Sequence, residues 1–474
     1  MAVNLGRSAL SRIPAASRPQ VTPGEAAAGI VHIGLGAFHR AHQAVYTEEA
    51  MAAAGGDWGI VAVAPHSRSV ADALNAQDGL FTVTELSAAP ARTRVIGSIT
   101  SARHLPADPD GTVALLADPA IGIVTLTVTE KAYGLEPPDD GQASIPDLLA
   151  RGLTARARTG APLAVVSCDN LTGNGERLHD VVLRRLALSG ADDTVLDWVA
   201  GQVAFPRTAV DRIVPASTDA TYRRVTETLG VSDGAAVDAE PYRQWVVEDR
   251  FPAGRPAWEL AGAVLTDDVT PWEDLKLRTL NGVHSTLAYL GALAGRRTIA
   301  ETLALPGMEA AMRRLIAEDI APGLCPPPGV SVVDYGDEVL ARFANPAIGH
   351  RTLQVAMDGS QKLPQRILRT IAARRATGER PELAALSVAA WIRFAAGKSD
   401  AGADLALDDP CAREIRAALA QANGSPSAVV DAMFGLDAVF SPELAADDEV
   451  RGLVAGWLGR LAEHGAADLV KGLA

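Results

Sequence analysis

The first half of the chain alternates short apolar runs with stretches of helical periodicity. The apolar runs predict strands at the start of 29–46 and at 58–64, 79–85, 95–99, 121–127 and 163–167. Helical segments at 69–76 and 147–158 fall between several of them. Strands that are apolar throughout and alternate with helices are typical of a parallel sheet covered on both faces. We therefore predict an α/β fold that begins with a Rossmann-type, doubly wound sheet.

The pattern changes after about residue 265. Long Ala- and Leu-rich helical stretches then dominate, at 271–295, 297–318, 364–376, 381–396 and 411–422. This change predicts two domains. The first is a dinucleotide-binding domain over 1–265, with 1–29 as an irregular lead-in, and the second is a mainly helical substrate and catalytic domain over 266–474.

Composition narrows the class of function. A formal net charge of −14 over 474 residues argues against a nucleic acid or an anionic membrane as the main partner. No run approaches the roughly 18 apolar residues of a membrane span. The three cysteines form no close pair, which fits a reducing compartment and disfavours a thiolate metal site. We expect a cytoplasmic protein, a monomer or small homo-oligomer, that acts on a small molecule.

A Gly-x-Gly turn, Gly34 to Gly36, follows the first strand and precedes a helix. Such a turn can bring backbone N–H groups and a helix N-terminus against a pyrophosphate, although a tight turn without any ligand explains it equally well. His39 stands where the full fingerprint has its third glycine. The predicted cofactor-binding positions are Ile33, Gly34, Leu35, Gly36, Ala37, Phe38, His39 and Arg40.

The residues after the second strand bear on the choice of cofactor. An acid that accepts from the adenosine ribose is usual there, but this chain has Pro-His-Ser-Arg-Ser over 65–69. Arg68 could meet a 2′-phosphate or could be an ordinary solvated loop residue. We therefore expect NAD or NADP, without strict selectivity for NAD.

Three polar residues interrupt the apolar pattern of the helix predicted over 271–295. With about 3.6 residues per turn, Lys276, Asn281 and His284 lie at roughly 0°, 140° and 80° around the axis and can line one wall of a cavity. Thr270 as N-cap, Pro271 at the first position and Glu273 in a capping box predict the helix start. A proton-exchanging amine beside an amide donor suits carbonyl–alcohol chemistry without a metal, whereas the alternative is a solvated face.

A zinc dehydrogenase is a further alternative, because His39 and His42 are three residues apart. No cysteine or acid lies at a spacing that would complete a zinc site with them. We therefore expect no metal.

Four motifs follow one another along the chain: Gly-x-Gly-x-Phe-His-Arg-Ala-His over 34–42, Ser-Cys-Asp-Asn over 167–170, Phe-Pro-x-x-x-Val-Asp-Arg-Ile-x-Pro over 205–215 and Lys-x-Arg-x-Leu-Asn-Gly-x-His over 276–284. In this order they resemble the motifs of the mannitol dehydrogenase family, the polyol-specific long-chain dehydrogenases. The resemblance runs from about residue 29 to the C-terminus. It implies a zinc-independent, NAD(P)-dependent oxidoreductase.

The resemblance also implies roles for individual residues. Lys276 is the general acid and base, so its pKa should lie below the usual value of about 10.4. Asn170 and Asn281 stabilise the alkoxide, and His284 orients the substrate. Glu130 is a carboxylate near the lysine, and Asp211 lines the substrate site. Structural explanations stay open: a turn for Asn170, a solvated loop for Glu130 and an ion pair with Arg212 for Asp211.

The stretch His350 to Arg366 bears on the substrate. Mannitol 2-dehydrogenases have a substrate-contacting arginine where this chain has Gln354, and the run over 357–366 resembles fructuronate reductases more closely. That likeness implies interconversion of D-fructuronate and D-mannonate. Arg351, Lys362 or Arg366 could pair with a uronate carboxylate, or they could cap helices and form surface ion pairs. A mannitol or arabinitol 2-dehydrogenase and a non-catalytic nicotinamide-binding protein are the alternatives.

Overall fold

The structure is a computed structural model, and it describes residues 3–87, 91–134, 144–422 and 424–473. The side chains of Glu130 and Lys131 also lie outside the described part. The chain divides into two compact units, Met1–Thr270 and Pro271–Ala474.

The first unit contains the strands and a set of helices. The strands are β1 (Val3–Asn4), β2 (Ala28–Ile33), β3 (Gly59–Ala64), β4 (Phe81–Glu85), β5 (Arg92–Ile96), β6 (Ile99–His104), β7 (Ile123–Leu126), β8 (Leu163–Ser167), β9 (Val203–Ala204), β10 (Thr208–Asp211), β11 (Val231–Ser232), β12 (Val237–Ala239), β13 (Gln244–Glu248) and β14 (Val264–Thr266). The α-helices are α1 (Ala37–Ala41), α2 (Gln43–Ala54), α3 (Arg68–Ala76), α4 (Pro109–Ala117), α5 (Ile145–Ala157), α6 (Asn174–Leu188), α7 (Asp193–Gln202) and α8 (Asp219–Leu229).

The central sheet has the predicted Rossmann-type topology. Among the described residues, six parallel strands follow the order β6-β3-β2-β7-β8-β9. The order reverses between β2 and β7, which pair in register from Ile30 with Ile123 to Ile33 with Leu126. In doubly wound sheets, ligands bind beyond the carboxyl ends of the strands at this reversal. Gly34 and Thr127 follow the two strands and therefore lie at that point.

The apolar runs become strands because both faces of this sheet are buried. Ile30, Ala62 and Ala164 belong to a core on one face. Val31, Val63 and Val165, their neighbours along the same strands, belong to a core on the other. Side chains alternate between faces along a strand, so each face needs its own apolar set.

The predicted single strand over 95–99 is wrong. The structure has β5 and β6 there, separated by Gly97 and Ser98. The Gly97 amide donates to the buried carboxylate of Glu48, and Ser98 Oγ donates to the Ala44 carbonyl at 2.7 Å. These hydrogen bonds to α2 interrupt the strand at Gly97 and Ser98. β5 then pairs antiparallel with β4, and β12 completes a small sheet that the sequence did not indicate.

The second unit is helical in its described part. Its α-helices are α9 (Thr270–Leu275, which begins at the division), α10 (Gly282–Leu293), α11 (Ile299–Leu303), α12 (Met308–Arg314), α13 (Val332–Phe343), α14 (Thr352–Ala356), α15 (Gly359–Leu363), α16 (Arg369–Ala376), α17 (Glu382–Ala395), α18 (Ala412–Gln421), α19 (Pro426–Phe434), α20 (Pro442–Ala445) and α21 (Asp448–Lys471). Every residue of α10 is buried, and α10 packs against α14 and α17. Within the described ranges, no helix combines the length and the apolar character needed to cross a bilayer.

Two of the long predicted helices are interrupted. The stretch 297–318 breaks between α11 and α12, where Gly307 has a φ of 82° directly after Pro306. Proline cannot continue the helical hydrogen bonding and glycine tolerates the positive φ. The stretch 271–295 contains a π-helical segment, Lys276–Asn281, between α9 and α10. Further π-helical segments are Leu315–Ile320 and Pro364–Leu368.

Candidate active site

The Gly-x-Gly turn requires glycine at its first position. Gly34 has a φ of 109°, and a Cβ there would lie 2.2 Å from the Thr127 carbonyl oxygen. Gly36 has a φ of −104°, and a Cβ there would meet only the Gly34 carbonyl oxygen, at 3.7 Å. Gly34 therefore lets β2 and β7 close together, while Gly36 leaves open space in front of α1.

The amides of the turn itself have acceptors within the protein, and their contact with a pyrophosphate stays a prediction. Gly34 N and Leu35 N donate to the Val63 carbonyl at 2.9 and 3.1 Å, and Gly36 N donates to the Gly34 carbonyl at 2.6 Å. The first N–H groups of an α-helix have no intrahelical acceptor. The amides of Ala37, Phe38 and His39, in the first turn of α1, are therefore better placed to donate to a ligand than those of the turn before it.

The buried side chain of His32 contacts this turn, a role that the sequence pattern did not predict. Its Nε2 lies 3.1 Å from the Gly34 carbonyl oxygen, and its Nδ1 lies 2.8 Å from Thr125 Oγ1. Burial lowers the pKa of His32 to about 3, so the ring is neutral near pH 7. Because a carbonyl only accepts, Nε2 carries the proton and Nδ1 accepts from Thr125. A histidine inside an otherwise apolar strand was the available signal.

Several predicted cofactor residues turn their side chains into the protein. Ile33 and Leu35 are buried. His39 is buried too, and its ring stacks on His32 with centroids 3.4 Å apart. Arg40 donates to the Gly36 carbonyl at 3.2 Å and to the Ala235 carbonyl. The side chains of His39 and Arg40 thus contact the turn and its surroundings within the protein, and their role in cofactor binding stays a prediction.

Arg68 lies at the start of α3, after β3. Its guanidinium pairs with Asp72 one helical turn later, at 3.3 Å, and both side chains are largely exposed. An exposed i,i+4 pair contributes only about 0.3–0.5 kcal/mol, so a ligand phosphate can displace it. Contact between Arg68 and a 2′-phosphate stays a prediction.

Asp169, next to the predicted Asn170, organises the loop after β7. One carboxylate oxygen accepts from Val128 N and Thr129 N, both at 2.8 Å, and the other accepts from Tyr133 Oη at 2.7 Å. Thr129 has a φ of 73°, a conformation that a side chain disfavours. Burial raises the pKa of Asp169, although these hydrogen bonds oppose the rise. The loop begins the short helix Glu130–Tyr133, so Asp169 positions the backbone of Glu130.

We expect Asp169→Ala to lower the free energy of unfolding by about 2–4 kcal/mol, because it leaves three donors without their acceptor. Asp169→Asn keeps an acceptor for both amides and should cost only about 1 kcal/mol. Urea unfolding measures both, with the exposed Asp197→Ala as control. Equal losses in the alanine and asparagine variants would contradict the proposed support of the loop.

The other predicted residues of the first unit lie at strand ends. Asn170 is exposed and begins the loop between β8 and α6. Asp211 is buried at the end of β10, opposite Gln244. The guanidinium of Arg212 donates to Glu85 at 3.0 Å and to the carbonyls of Glu240 and Ala41. The prediction for Glu130 falls on a side chain outside the described part.

The angular positions calculated for the second-unit residues are wrong, because Lys276–Asn281 is π-helical. Its hydrogen bonds join residues five apart, so Lys276 and Asn281 stand nearly one turn from each other and share a face. Lys276, Asn281 and His284 are 8%, 6% and 8% exposed, which excludes the solvated-face alternative. Single π-helical turns occur frequently at functional sites.

A second π-helical segment packs against the first. A Cβ on Gly282 would lie 3.2 Å from the Arg366 carbonyl oxygen in Pro364–Leu368, so glycine allows the close approach. Arg278 fixes the contact, since its Nε donates to Thr370 Oγ1 at 3.1 Å and its Nη1 to the Gly323 carbonyl at 2.5 Å. The segment that carries Lys276 is therefore held by the chain over 364–370.

His284 lies in a cluster of basic groups. Its ring stacks on Phe343, with centroids 4.6 Å apart, and meets the edge of His350 at 4.7 Å. Burial lowers the pKa of His284 well below the usual range, and the positive charge of His350, Arg366, Lys362 and Arg342 lowers it further. His284 is therefore neutral at physiological pH and can donate one hydrogen bond and accept another.

Lys362 and Arg366 are one helical turn apart beside this cluster. Lys362 Nζ donates to the Met357 and Val355 carbonyls at 2.6 and 3.3 Å. Lys362 therefore caps a helix, as the alternative to carboxylate binding predicts. Burial lowers the pKa of Lys362 to about 8. Arg366 donates to Ser285 Oγ at 3.0 Å, and burial lowers its pKa to about 10.

The remaining predicted substrate residues are exposed. Arg351 precedes α14 and bridges to Thr298, and Gln354 lies within α14. In the described part of the chain, no hydrogen bond or ion pair joins either side chain to His284, Lys362 or Arg366. Their roles in substrate binding stay predictions.

His39 and His42 do not share a ligand position. His42 Nε2 lies 2.8 Å from the Gln244 carbonyl oxygen, whereas His39 stacks on His32. Over the described ranges, no group of three or more His, Cys, Asp and Glu side chains is arranged to hold a metal ion.

Comparisons with known proteins agree with this architecture. Residues 28–260 match the family model of the mannitol dehydrogenase Rossmann domain, and residues 268–458 match that of the mannitol dehydrogenase C-terminal domain. D-mannonate oxidoreductase of Escherichia coli is 38% identical over 98% of this chain and 99% of its own. The uncharacterized oxidoreductase YeiQ of the same organism is 40% identical over 88% of each chain.

A solved structure extends the likeness to the whole fold. Mannitol 2-dehydrogenase of Pseudomonas fluorescens, in a ternary complex with NAD and D-mannitol, superposes with a TM-score of 0.85 at 34% identity and covers 99% of both chains. Both family models match in order and together span most of the chain. The chain belongs to the mannitol dehydrogenase family and is an oxidoreductase that acts on CH–OH groups.

Proposed function

We propose that the protein is an NAD-dependent, zinc-independent reductase that interconverts a keto sugar acid and its polyol acid, D-fructuronate and D-mannonate. The likeness to the D-mannonate oxidoreductase of Escherichia coli over nearly the full length supports this choice. A mannitol 2-dehydrogenase is the alternative within the family, and its substrate lacks a carboxylate.

One observation carries the choice of a sugar acid: Arg366 lies beside α10 without a direct ion pair. Among the described residues, no carboxylate lies within 4.0 Å of its guanidinium, and its hydrogen-bond partner, Ser285, is neutral. Its side chain is half-buried and the charge of Asp358 reaches it only from a longer distance, so its charge is incompletely compensated. A substrate carboxylate would supply an ionic partner through two parallel hydrogen bonds, and Lys362 would add a second positive charge nearby.

The first unit fits a nicotinamide dinucleotide. Gly36 leaves open space in front of the first turn of α1, and that turn lies where the strand order reverses. Ala37, Phe38 and His39 would hold the pyrophosphate through their backbone amides. The cofactor supplies or accepts the hydride. Without an acid after β3, NADP is accommodated as well, with Arg68 as the partner of its 2′-phosphate.

Lys276 carries the proton in this proposal. During reduction, its ammonium group protonates the substrate oxygen, and during oxidation the neutral amine removes the hydroxyl proton. Asn281, on the same face of the π-helical segment, donates to the oxygen while negative charge develops there. One such donor is worth about 3 kcal/mol. The resemblance assigns the second donation to Asn170.

Initial rates of NADH and NADPH consumption with D-fructuronate, tagaturonate and fructose, and of NAD⁺ and NADP⁺ reduction with mannitol, test the proposal. We expect turnover with D-fructuronate to exceed that with tagaturonate, fructose and mannitol. Equal or faster turnover of fructose and mannitol would favour the mannitol 2-dehydrogenase alternative. Absence of turnover with all four would contradict the enzyme assignment itself.

Arg366→Met tests the carboxylate contact directly. We expect kcat/KM for the keto acid to fall about 10²-fold, because one partner of a buried charge pair is removed, while kcat/KM for fructose changes little. Arg416→Met, at an exposed position in α18, is the matched control. An equal loss on both substrates would show that Arg366 acts on the fold and not on the carboxylate.

A further inference from the structure

A polar cavity of about 260 Å³ lies in the first unit, lined by four arginines of the described chain. Arg92 and Arg94 come from β5, Arg212 follows β10, and Arg243 precedes β13. The acids of the lining are Glu49 and Glu85. None of the predicted catalytic, cofactor or substrate positions lines this cavity.

Three of the arginines are held in place by carboxylates. Arg94 and Arg243 both pair with Glu49, the former at 2.6 Å, and the Arg243 guanidinium also lies 4.5 Å above the Tyr46 ring. Arg212 pairs with Glu85 at 3.0 Å, and its side chain is fully buried. An arginine carries five N–H donors, so these pairs orient the guanidinium groups without using all of them.

Positive charge remains uncompensated in the cavity. The fourth arginine, Arg92, is exposed, and its side chain makes no ion pair or hydrogen bond with the described residues. Arg94 Nη1 is buried and lacks a hydrogen-bond partner in the described part, with Glu48 at 3.8 Å. Burial raises the pKa of Glu48 to about 7, so this neighbour is only partly ionised near neutral pH. Four arginines thus face two lining carboxylates, in a chain whose formal net charge is −14.

We propose that this cavity binds a small oxyanion that carries two or more negative charges, either a phosphate monoester or a dicarboxylate. The planar fork of arginine matches carboxylate and phosphate oxygens in pairs, and several forks that converge on one cavity favour a multiply charged ligand. The volume of about 260 Å³ suits a compact metabolite. The site serves a ligand other than the substrate and cofactor of the proposed reaction, and it does not depend on the identity of that substrate.

Titration calorimetry of the whole protein with saturating NAD⁺ tests the proposal, because the cofactor then occupies its own site. The probes are inorganic phosphate, glucose 6-phosphate, malonate and citrate, with acetate as the singly charged control. We expect at least one multiply charged probe to bind more than tenfold more tightly than acetate, and its affinity to fall as salt is raised.

Two variants locate the site. Arg92→Gln removes a cation that has no structural partner, and Gln20→Glu adds a negative charge to the lining, so each should weaken binding about tenfold. Arg158→Gln makes the same charge change as Arg92→Gln at an exposed position of the same unit and should leave affinity unchanged. Unaltered thermal unfolding of the variants shows that the fold persists.

The pattern of probes identifies the ligand chemistry. Binding of glucose 6-phosphate and phosphate alone assigns a phosphate ester, binding of malonate and citrate alone assigns a dicarboxylate, and binding of both supports recognition of the shared charge. No binding of any probe at millimolar concentration would overturn the proposal. Binding that Arg92→Gln and Gln20→Glu leave unchanged would overturn it as well.

Discussion

Lys276→Ala is expected to lower kcat by about 10²–10⁴ in both directions, the usual contribution of a positioned general acid and base. The lysine is 8% exposed on a π-helical segment that is fixed through Arg278, so no other group can take its place readily. In oxidation, Lys276 must be the neutral amine to accept the hydroxyl proton, so the rate should rise with pH, and this rise should vanish in the variant.

Stopped-flow and steady-state rates at several pH values measure this effect. Lys398→Ala, which removes an exposed lysine paired with Asp404 at 2.6 Å, is the control and should keep wild-type rates. A small primary amine added to Lys276→Ala should restore part of the activity if a missing proton carrier is the cause. Turnover near that of the wild type in both directions would refute the role of Lys276.

The sequence predicted the central sheet because burial on both faces leaves a strong local signal. Strands such as β3 and β8 are apolar except for Ser167 at the end of β8, and that pattern needs no knowledge of neighbours. The division of 92–104 into two strands was not predicted, because it leaves no local signal in the sequence. Their separation depends on bonds from Gly97 and Ser98 to α2, some 50 residues earlier in the chain, which no local pattern contains.

The site was predictable in its residue types and not in its geometry. Polar interruptions marked Lys276, Asn281 and His284, but a 3.6-residue period could not reveal the π-helical turn that brings the first two onto one face. Asp169 was not predicted, although it adjoins Asn170, because its role depends on three hydrogen bonds that it accepts from the loop after β7. The lack of a direct ion pair at Arg366 likewise becomes visible only when its neighbours are known.

Gly34→Ala is expected to lower the free energy of unfolding by about 3–5 kcal/mol and to abolish binding of the nicotinamide cofactor. The cost has two sources: a φ of 109° that a side chain disfavours, and a Cβ 2.2 Å from the Thr127 carbonyl oxygen. Relief of this overlap requires β2 and β7 to separate where the strand order reverses. His32, which bonds to the Gly34 carbonyl, would then lose its partner too.

Gly36→Ala provides the matched comparison, because it makes the same chemical change two residues away. Its Cβ would meet only one atom, at 3.7 Å, so the free energy of unfolding should stay within about 1 kcal/mol of wild type. If a pyrophosphate approaches the first turn of α1 as proposed, the added methyl group should still weaken cofactor binding. Urea unfolding and quenching of tryptophan fluorescence by NADH separate the two effects. A Gly36→Ala variant with unchanged cofactor affinity would show that the pyrophosphate does not lie over this turn.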